Sequence, residues 1–523
     1  MDTGPRPAAK EVGGASADQA RRVAGGAMVA LVGGGLSLVL STAYQIVIAR
    51  HLGPAGMGLF VLGLAISSLL AEACDLGLDY GVLRFGGIAH GAKDPGRFRA
   101  VVVRALLGAA VAGGAAAALL IAGGGLVARL FEKPALEAVL LPLALAVPCT
   151  GGAEVARASL RALGRALPSV ASDSMVAPVL RLATGAWAVA LAPSPRAAAL
   201  AYAWTEATVL VVTLLMLWRV LPRGGRRGPV PGLFRFSLPM SLNRVILYTN
   251  NQTEVIVLGL LAPAATVGIF GVAKRLSTVI GALLTSVTVL FNPMVADLHH
   301  RGRTGELDRL FRTSSRWLFT LGFPVCLAEM LFAPEIVRLF GRSFASGAPA
   351  LVILAIGQLV NVGTGAASNL LVMAGRAKLT LATSILFLAL SLLLDLLLIP
   401  RHGLLGAAIA NAGAMVVVNL LRLWLVHRVL GLGPYDRRFL RPLAAGLAAG
   451  AAARLLPLPG LHGPLELAVR CLLLGALYLG SLAALGIERE DRQVARDLLA
   501  RVGWAKRRQA GAPDTGPREE VSP

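Results

Sequence analysis

The sequence predicts an all-α polytopic membrane protein of about fourteen transmembrane helices, arranged as two six-helix lobes followed by two further helices. Three observations predict it. Of the 523 residues, 56% are hydrophobic and only 15% charged, where soluble domains carry about a quarter, and the mean hydropathy is +0.71. Apolar runs of roughly 20 residues, enough for a helix to cross a bilayer, recur along the whole chain. These runs also repeat, in order, at a spacing of about 210 residues.

In chain order the runs lie near 24–49, 56–79, 100–125, 135–156, 168–192, 197–218, 236–261, 265–292, 314–335, 348–373, 377–399, 403–427, 440–457 and 464–486. Residues 1–23 are polar and basic and lack the short apolar core of a signal peptide, so they are expected to form a tail. Gaps after odd-numbered runs hold few cations, such as Arg50 or Arg196. Gaps after even-numbered runs hold many: Arg219, Arg223, Arg226, Arg227 and Arg235 in one, Arg301, Arg303, Arg309, Arg312 and Arg316 in another. The positive-inside rule then puts both termini in the cytoplasm of a multi-pass inner (plasma) membrane protein. The net charge of +22 is therefore topological, and no nucleic-acid partner is expected. The stretch 488–508 has the spacing of an interfacial helix facing anionic lipid, or is a solvated tail; 509–523 reads as disordered. Cys74, Cys149, Cys326 and Cys471 lie far apart in apolar runs, so neither a disulfide framework nor a metal site is expected, and no cofactor is implied.

The repeat is carried by five matches. "ARLF" (128–131) returns as "VRLF" (337–340), "ALGRA" (162–166) as "MAGRA" (373–377), and "LAYA" (200–203) as "IANA" (409–412). "RVL" recurs at 219–221 and 428–430, and "LGPAGMGLF" (52–60) is echoed by "LAPAATVGIF" (261–270). A repeat of six spans gives both copies one orientation, related by an axis along the membrane normal. The expected organisation is a tail (1–23), an N-lobe (24–221), a basic linker (222–235), a C-lobe (236–430), two added spans (431–486) and a basic tail (487–523).

The stretch "ARHLGPAGMGLFVLGLAISSLLAEACDLGLDYGVLRF" (49–85) resembles the N-terminal signature of polysaccharide-unit flippases. In that family the first span leaves through an "LGP.G.G.F" turn and the second ends in a "DLGL...L.R" run. They belong to the multidrug/oligosaccharidyl-lipid/polysaccharide exporter superfamily. The resemblance implies two six-helix bundles in a V around a central cavity. It implies a transporter, not an enzyme, moving a polyprenyl-pyrophosphate-linked oligosaccharide from the inner to the outer leaflet by alternating access. Membrane lipids and a polysaccharide polymerase are the partners to expect.

Charged residues inside the spans point to the site. In "NRVILYTNNQTEVIVLGLL" (243–261), helical spacing puts Asn243, Arg244, Asn250, Asn251 and Glu254 on one face about 120° wide. An Arg facing lipid near mid-bilayer costs roughly 2.5–3.5 kcal/mol, so this face is expected to line a cavity. Lys274 and Arg275 lie near mid-depth in the next span. With Arg244 they are candidates for holding the pyrophosphate, since guanidinium groups offer paired donors to phosphate oxygens. The alternative is an internal ion pair of Glu254 with Lys274 or Arg275. Arg181, mid-span in the fifth run, either lines the cavity or pairs with a carboxylate. Glu72, Asp75 and Asp79, spaced i, i+3, i+7 and followed by Arg84, are candidates for a latch at the cytoplasmic mouth, or are ordinary interfacial charge. Pro239 reads as a first-turn proline or a kink. Gly33–Gly35 and Gly123–Gly125 are candidates for close packing. Two other functions stay open: a cation-coupled multidrug exporter of the same superfamily, and a lipid II flippase.

Overall fold

In lipid a backbone finds no hydrogen-bond partner outside its own helix, and the apolar runs are accordingly helical. The computed structural model describes residues 9–222, 224, 230–456 and 463–485, without the side chains of 9–32, 243, 282–290 and 293. No strand occurs among the described residues. The stretch 488–508 lies outside them.

The first half of the chain holds α1 (Ala9–Cys74), α2 (Leu78–Gly81), α3 (Gly87–Gly91), α4 (Pro95–Leu130), α5 (Ala135–Ala162), α6 (Ala166–Ala171), α7 (Ala177–Leu191) and α8 (Pro195–Val220). The second holds α9 (Leu233–Leu261), α10 (Ala264–Ser277), α11 (Val279–His300), α12 (Thr304–Leu331), α13 (Ala333–Arg338), α14 (Ala348–Gly363), α15 (Ala367–Met373) and α16 (Ala377–Leu430). A separate unit beginning at Tyr435 contains α17 (Leu440–Leu455) and α18 (Pro464–Ala484). These two helices pack on each other, and Arg470 of α18 donates to the Ala453 carbonyl of α17 at 3.0 Å. Among the described residues, nine stretches are long and apolar enough to cross a membrane. Two of them contain a sharp internal break: α1 bends at Gly53 (φ 65°) and α16 at Gly403 (φ 51°).

Each long limb reverses the direction of the one before. The turns near 92–94, 163–165, 301–303 and 374–376, the end of α8 at Val220 and the start of α9 at Leu233 therefore share one end of the molecule, the basic end. Those near 51–54, 131–134, 192–194, 262–263 and 339–347 share the opposite end.

Three local expectations change. Pro239 is the seventh residue of a helix that begins at Leu233, so it is an internal proline and not a first-turn one. The expected run 265–292 is two helices, α10 and α11, meeting at Thr278. The glycine clusters are not where the helices come closest: Gly34, Gly35 and Gly123 have open space beside them.

The closest approach joins the two copies of the "LGPAGMGLF" repeat. A Cβ on Gly58 would collide with the Ala264 carbonyl, and one on Gly268 with the Pro54 carbonyl. Gly58 of α1 and Gly268 of α10 are repeat counterparts, so the two halves meet here backbone to backbone. Around this contact Met57, Phe60 and Leu62 of α1 share one buried apolar core with Val267 and Phe270 of α10 and Leu354 of α14. Gly58→Ala is expected to destabilise the protein by about 1–3 kcal/mol through overpacking. Gly34→Ala should stay within about 0.5 kcal/mol. Heat-induced unfolding of the two purified variants separates these outcomes, and equal midpoints would show that the contact is dispensable.

Candidate functional site

At the basic end the chain turns sharply after α1. Asp75, Leu76 and Gly77 form the turn, with Leu76 at φ 53° and Gly77 at φ 64°. Glu72, Asp75 and Asp79 therefore do not share one continuous helical face, as their spacing had suggested. The turn instead brings all three onto a single guanidinium from the other half of the chain. Arg244 Nη2 lies 2.8 Å from Glu72 Oε2, and Nη1 lies 3.2 Å from Asp75 Oδ2 and 2.8 Å from Asp79 Oδ2. Asp75 and Asp79 are buried, 4% and 5% exposed. Two further contacts tie α9 to this region. Arg84, in the π-helical turn Val82–Gly86, stacks on the Phe236 ring at 4.3 Å and does not join the acids. Gly77 packs against the Ser237 backbone, where a Cβ would not fit.

The opposite end closes by different chemistry. Arg50 Nε donates to the Leu339 carbonyl at 2.8 Å, and Lys133 Nζ donates to the Gly259 carbonyl at 2.6 Å. These two contacts are related by the repeat: Gly259 is the counterpart of Arg50, and Leu339 lies in the "VRLF" copy of the "ARLF" that precedes Lys133. Lys133 sits in the turn between α4 and α5, where burial lowers its pKa and neighbouring Glu132 opposes that shift. The ion cluster at the basic end has no such partner. At the repeat spacing Arg244 corresponds to Gly34, and Asp75 and Asp79 to Thr285 and Val289.

A cavity of about 190 Å³ lies beside the ion cluster, enclosed by α1, α5, α8 and α9. Its polar lining includes Ser68, Glu72, Asp75, Glu154, Arg157, Tyr202, Arg244 and Tyr248. Glu154 accepts from Arg157 at 2.7 Å and from Arg161 at 3.0 Å.

Each half also holds a buried ion pair. In the first, Arg181 Nη2 donates to Glu206 Oε1 at 2.6 Å, with the Tyr202 ring 5.3 Å from the guanidinium and buried Tyr44 alongside. In the second, Lys274 Nζ pairs with Glu254 Oε2 and donates to the Asn251 carbonyl at 2.6 Å. Glu254 Oε1 accepts from Asn411 Nδ2 at 2.6 Å and from Ser391 Oγ at 3.2 Å, and Glu254 is fully buried. The repeat relates the two centres: Tyr44, Arg181 and Tyr202 correspond to Glu254, Ser391 and Asn411.

The polar face of α9 thus does not form one cavity wall. Arg244 serves the basic-end cluster, Asn250 donates to the Ser384 carbonyl at 3.2 Å, and Glu254 is enclosed in the second half. Asn251 is exposed and donates to the Leu247 carbonyl; the Asn243 side chain lies outside the described residues. Nor do Arg244, Lys274 and Arg275 form one joint anion site, because two of the three are held by carboxylates. A charge removed from water needs compensation at contact distance, and the acids are nearer. Of the three, Arg275 alone is exposed and has no ion pair among the described residues.

Sequence reasoning missed Asn411 and Ser391, although aligning the two repeat copies around Tyr202 and Arg181 would have found them. It also missed Arg422, which donates to Thr383 Oγ1 at 3.1 Å and Ser384 Oγ at 3.2 Å. In "LLRLWLVHRVL" (420–430) that residue reads as an end-of-span cation. Phe236 and Ser237 carry no signal in a single sequence.

Removing one partner of a buried pair strands the other. Glu254→Ala is expected to cost about 3–5 kcal/mol by leaving Lys274 uncompensated. Glu254→Gln combined with Lys274→Gln should recover most of that loss. Thermal unfolding midpoints test this, and a double variant as unstable as Glu254→Ala would show that the pair is not what stabilises the region.

A profile of the family described as "polysaccharide biosynthesis protein" matches residues 47–349. Among characterised proteins, the probable flippase AglR of Haloferax volcanii is 26% identical over 171 residues, 32% of this chain and 36% of AglR. The capsular polysaccharide biosynthesis protein CapF of Staphylococcus aureus is 25% identical over 178 residues, 34% of this chain and 45% of CapF. The chain thus matches these relatives over less than half of their length. Among solved structures, the lipid II flippase MurJ in an inward closed conformation superposes with a TM-score of 0.72 at 12% identity, covering 90% of this chain and all of MurJ. An inward-facing multidrug resistance transporter of the MATE family superposes at 0.64 with 15% identity, covering 77% of this chain and 98% of that one. The structural likeness fixes a shared helical fold. The family match spans more than half of the sequence, and the chain therefore belongs to the polysaccharide biosynthesis protein family.

Proposed function

We propose that this protein is a flippase that carries a polyprenyl-pyrophosphate-linked oligosaccharide from the cytoplasmic to the outer leaflet of the inner membrane, for cell-surface polysaccharide synthesis. Two lobes, 24–221 and 236–430, rock against each other, with both termini and the basic end in the cytoplasm. Spans 431–486 are accessory. No chemical step is involved, and a polysaccharide polymerase receives the product. The observation that carries this reading is the pair of unlike closures between the two halves, one at the basic end and one at the opposite end, in a chain of this family.

Alternating access needs each closure to open while the other holds. The cytoplasmic closure rests on the cluster of Arg244 with Glu72, Asp75 and Asp79, flanked by Arg84 on Phe236. When it parts, water re-solvates all four charges, so lost ion pairing is offset by hydration. The outer closure rests on backbone-tight packing at Gly58 and Gly268 and on two carbonyl contacts. Parting it exposes apolar surface, at roughly 25 cal/mol per Å². The two gates therefore respond to different influences.

The anionic headgroup is assigned to Arg181 and Arg275, one from each lobe: Arg181 shares a single carboxylate, Glu206, and Arg275 has no ion pair among the described residues. Two guanidiniums with one carboxylate leave a net positive charge for a pyrophosphate, and an anion held there would tie the lobes together. Asn250, Asn251, Lys274 and Glu254 then shape the C-lobe behind the site.

One observation favours a second reading, a cation-coupled exporter of cationic drugs. The lining of the 190 Å³ cavity includes three carboxylates, Glu72, Asp75 and Glu154, against two guanidiniums, Arg157 and Arg244. Transport assays in proteoliposomes decide between them. Arg275→Ala, and Arg181→Ala combined with Glu206→Gln so that no buried carboxylate is stranded, should each lower flipping of the lipid-linked oligosaccharide by more than about tenfold, the equivalent of about 1.4 kcal/mol, at normal abundance. Each change removes an intramembrane charge and so eases insertion by roughly 2–3 kcal/mol, which excludes poor insertion as the cause. Arg275→Lys should retain part of the activity, since Lys keeps the charge and loses the fork. Full flipping by both variants would overturn the headgroup assignment, and accumulation of ethidium in place of oligosaccharide transport would overturn the flippase reading.

A further inference from the structure

The basic-end cluster has a charge imbalance that its own geometry does not resolve. Three carboxylates converge on one guanidinium, leaving two negative charges in excess. Both Asp75 and Asp79 direct one oxygen, Oδ2, at the same nitrogen of Arg244. The other oxygen of each, Oδ1, is buried with no hydrogen-bond partner. An ionised carboxylate is purely an acceptor and needs donors at both oxygens; a buried one without them is strongly disfavoured.

Among the described residues no cation except Arg244 is in ion-pair contact with Glu72, Asp75 or Asp79, and Arg84 of the adjoining Val82–Gly86 turn stacks on Phe236 instead. From α5, Glu154 is the nearest further acid, and it is held by Arg157 and Arg161. Asp173 stands 3.8 Å from Arg157, and its side chain is 62% exposed. From α9 come Arg244 itself and Tyr248, from α8 Tyr202, and from α2 the Tyr80 ring, 5.8 Å from the Arg244 guanidinium. The Glu154 group contributes one excess positive charge. The enclosed cluster as a whole is then short by one.

We infer that closing the cytoplasmic gate takes up one proton from the cytosol, held between Asp75 and Asp79, and that opening the gate returns it. A proton on either Oδ1 supplies the missing charge and turns that oxygen into a donor, which the adjacent carboxylate can accept. In the open state Arg244 withdraws with α9, the acids meet water, and the need for the proton falls. The closed form therefore binds one more proton than the open form, so acidic conditions favour closure and the gate opens as pH rises. For one proton, the ratio of closed to open molecules changes by up to about tenfold per pH unit. Proton uptake of this kind rests on the cluster being the cytoplasmic gate, as proposed above.

The test is a distance measurement across the cytoplasmic mouth in the full-length protein in nanodiscs. Spin labels are placed at Ala92→Cys and Thr304→Cys, both exposed at the basic end, with the four native cysteines replaced by alanine. In the otherwise unchanged protein, the short-distance population should give way to a longer one as pH is raised from acidic to alkaline. Asp75→Asn and Asp79→Asn, each a fixed mimic of the protonated acid with nearly unchanged shape, should keep the short distance at every pH. Arg244→Ala should give the long distance even at acidic pH. A short distance in Arg244→Ala means that the cluster is not the gate, and both readings fall. If Arg244→Ala opens the mouth but the parent distance ignores pH, the gate stands and the proton uptake is wrong. Proton uptake by these acids is equally wrong if both Asn variants keep the parent's pH response. Should one Asn variant not fold, the other together with the parent titration still decides.

Discussion

A charge inside a membrane must find its opposite within the protein, and most of this structure's specific contacts follow from that constraint. Water cannot compensate Arg244, Arg181 or Lys274 from a distance. Each therefore fixes a carboxylate at contact range and, through it, the helix that carries the carboxylate. Arg181 locks α7 to α8 through Glu206. Lys274 locks α10 to α9 through Glu254, which in turn holds α16 through Ser391 and Asn411. These pairs lie within one half and have no need to open. Arg244 differs only in where its partners are: the carboxylates stand in the other half, so the same demand becomes a contact that the proposed alternating access would have to break.

Duplication explains why the two ends of the molecule close differently. At the end opposite the basic one the repeat copies meet each other, Gly58 against Gly268, Arg50 against Leu339 and Lys133 against Gly259. Contacts of this kind come in related pairs and are set by backbone shape, which both copies inherit. At the basic end the two copies have diverged: one carries Arg244 where the other has Gly34, and Asp75 faces a counterpart position occupied by Thr285. Undiverged copies would repeat such an ion pair as a second, related one; a single cluster without a counterpart requires that the copies have diverged. The repeated closure is therefore made to the backbone and the unmatched one between ions.

The sequence revealed what one-dimensional physics determines. Bilayer thickness sets run length, so the helices and their order were legible, and the repeat was visible because five matches kept one spacing. Arg244, Glu254, Lys274 and the acids of 72–79 stood out because charge is rare in such runs. Their partners were not legible, because pairing depends on turns and lateral packing. The positive φ at Leu76 and Gly77 re-aims Asp75 and Asp79 toward α9, and nothing in a helical wheel anticipates that turn. Glu254 shares a wheel face with Arg244 yet reaches a different half, since ten residues of helix separate them by about 15 Å of rise. Pro239 looked like a helix start because the apolar run begins near it, whereas the helix begins six residues earlier.

Pairing also narrows what is left to bind a substrate. Once Arg244 is held by three acids and Lys274 by Glu254, neither offers a phosphate a free fork without first releasing a buried carboxylate, which is expensive in low dielectric. Arg275 bears no such obligation among the described residues, and Arg181 shares only one carboxylate. In the proposed site the two like charges come from opposite lobes, and their repulsion would oppose closure of the lobes unless an anion lay between them. A bound pyrophosphate would remove it. The same two residues would then recognise the headgroup and make closure depend on its presence, so an empty carrier would not cycle.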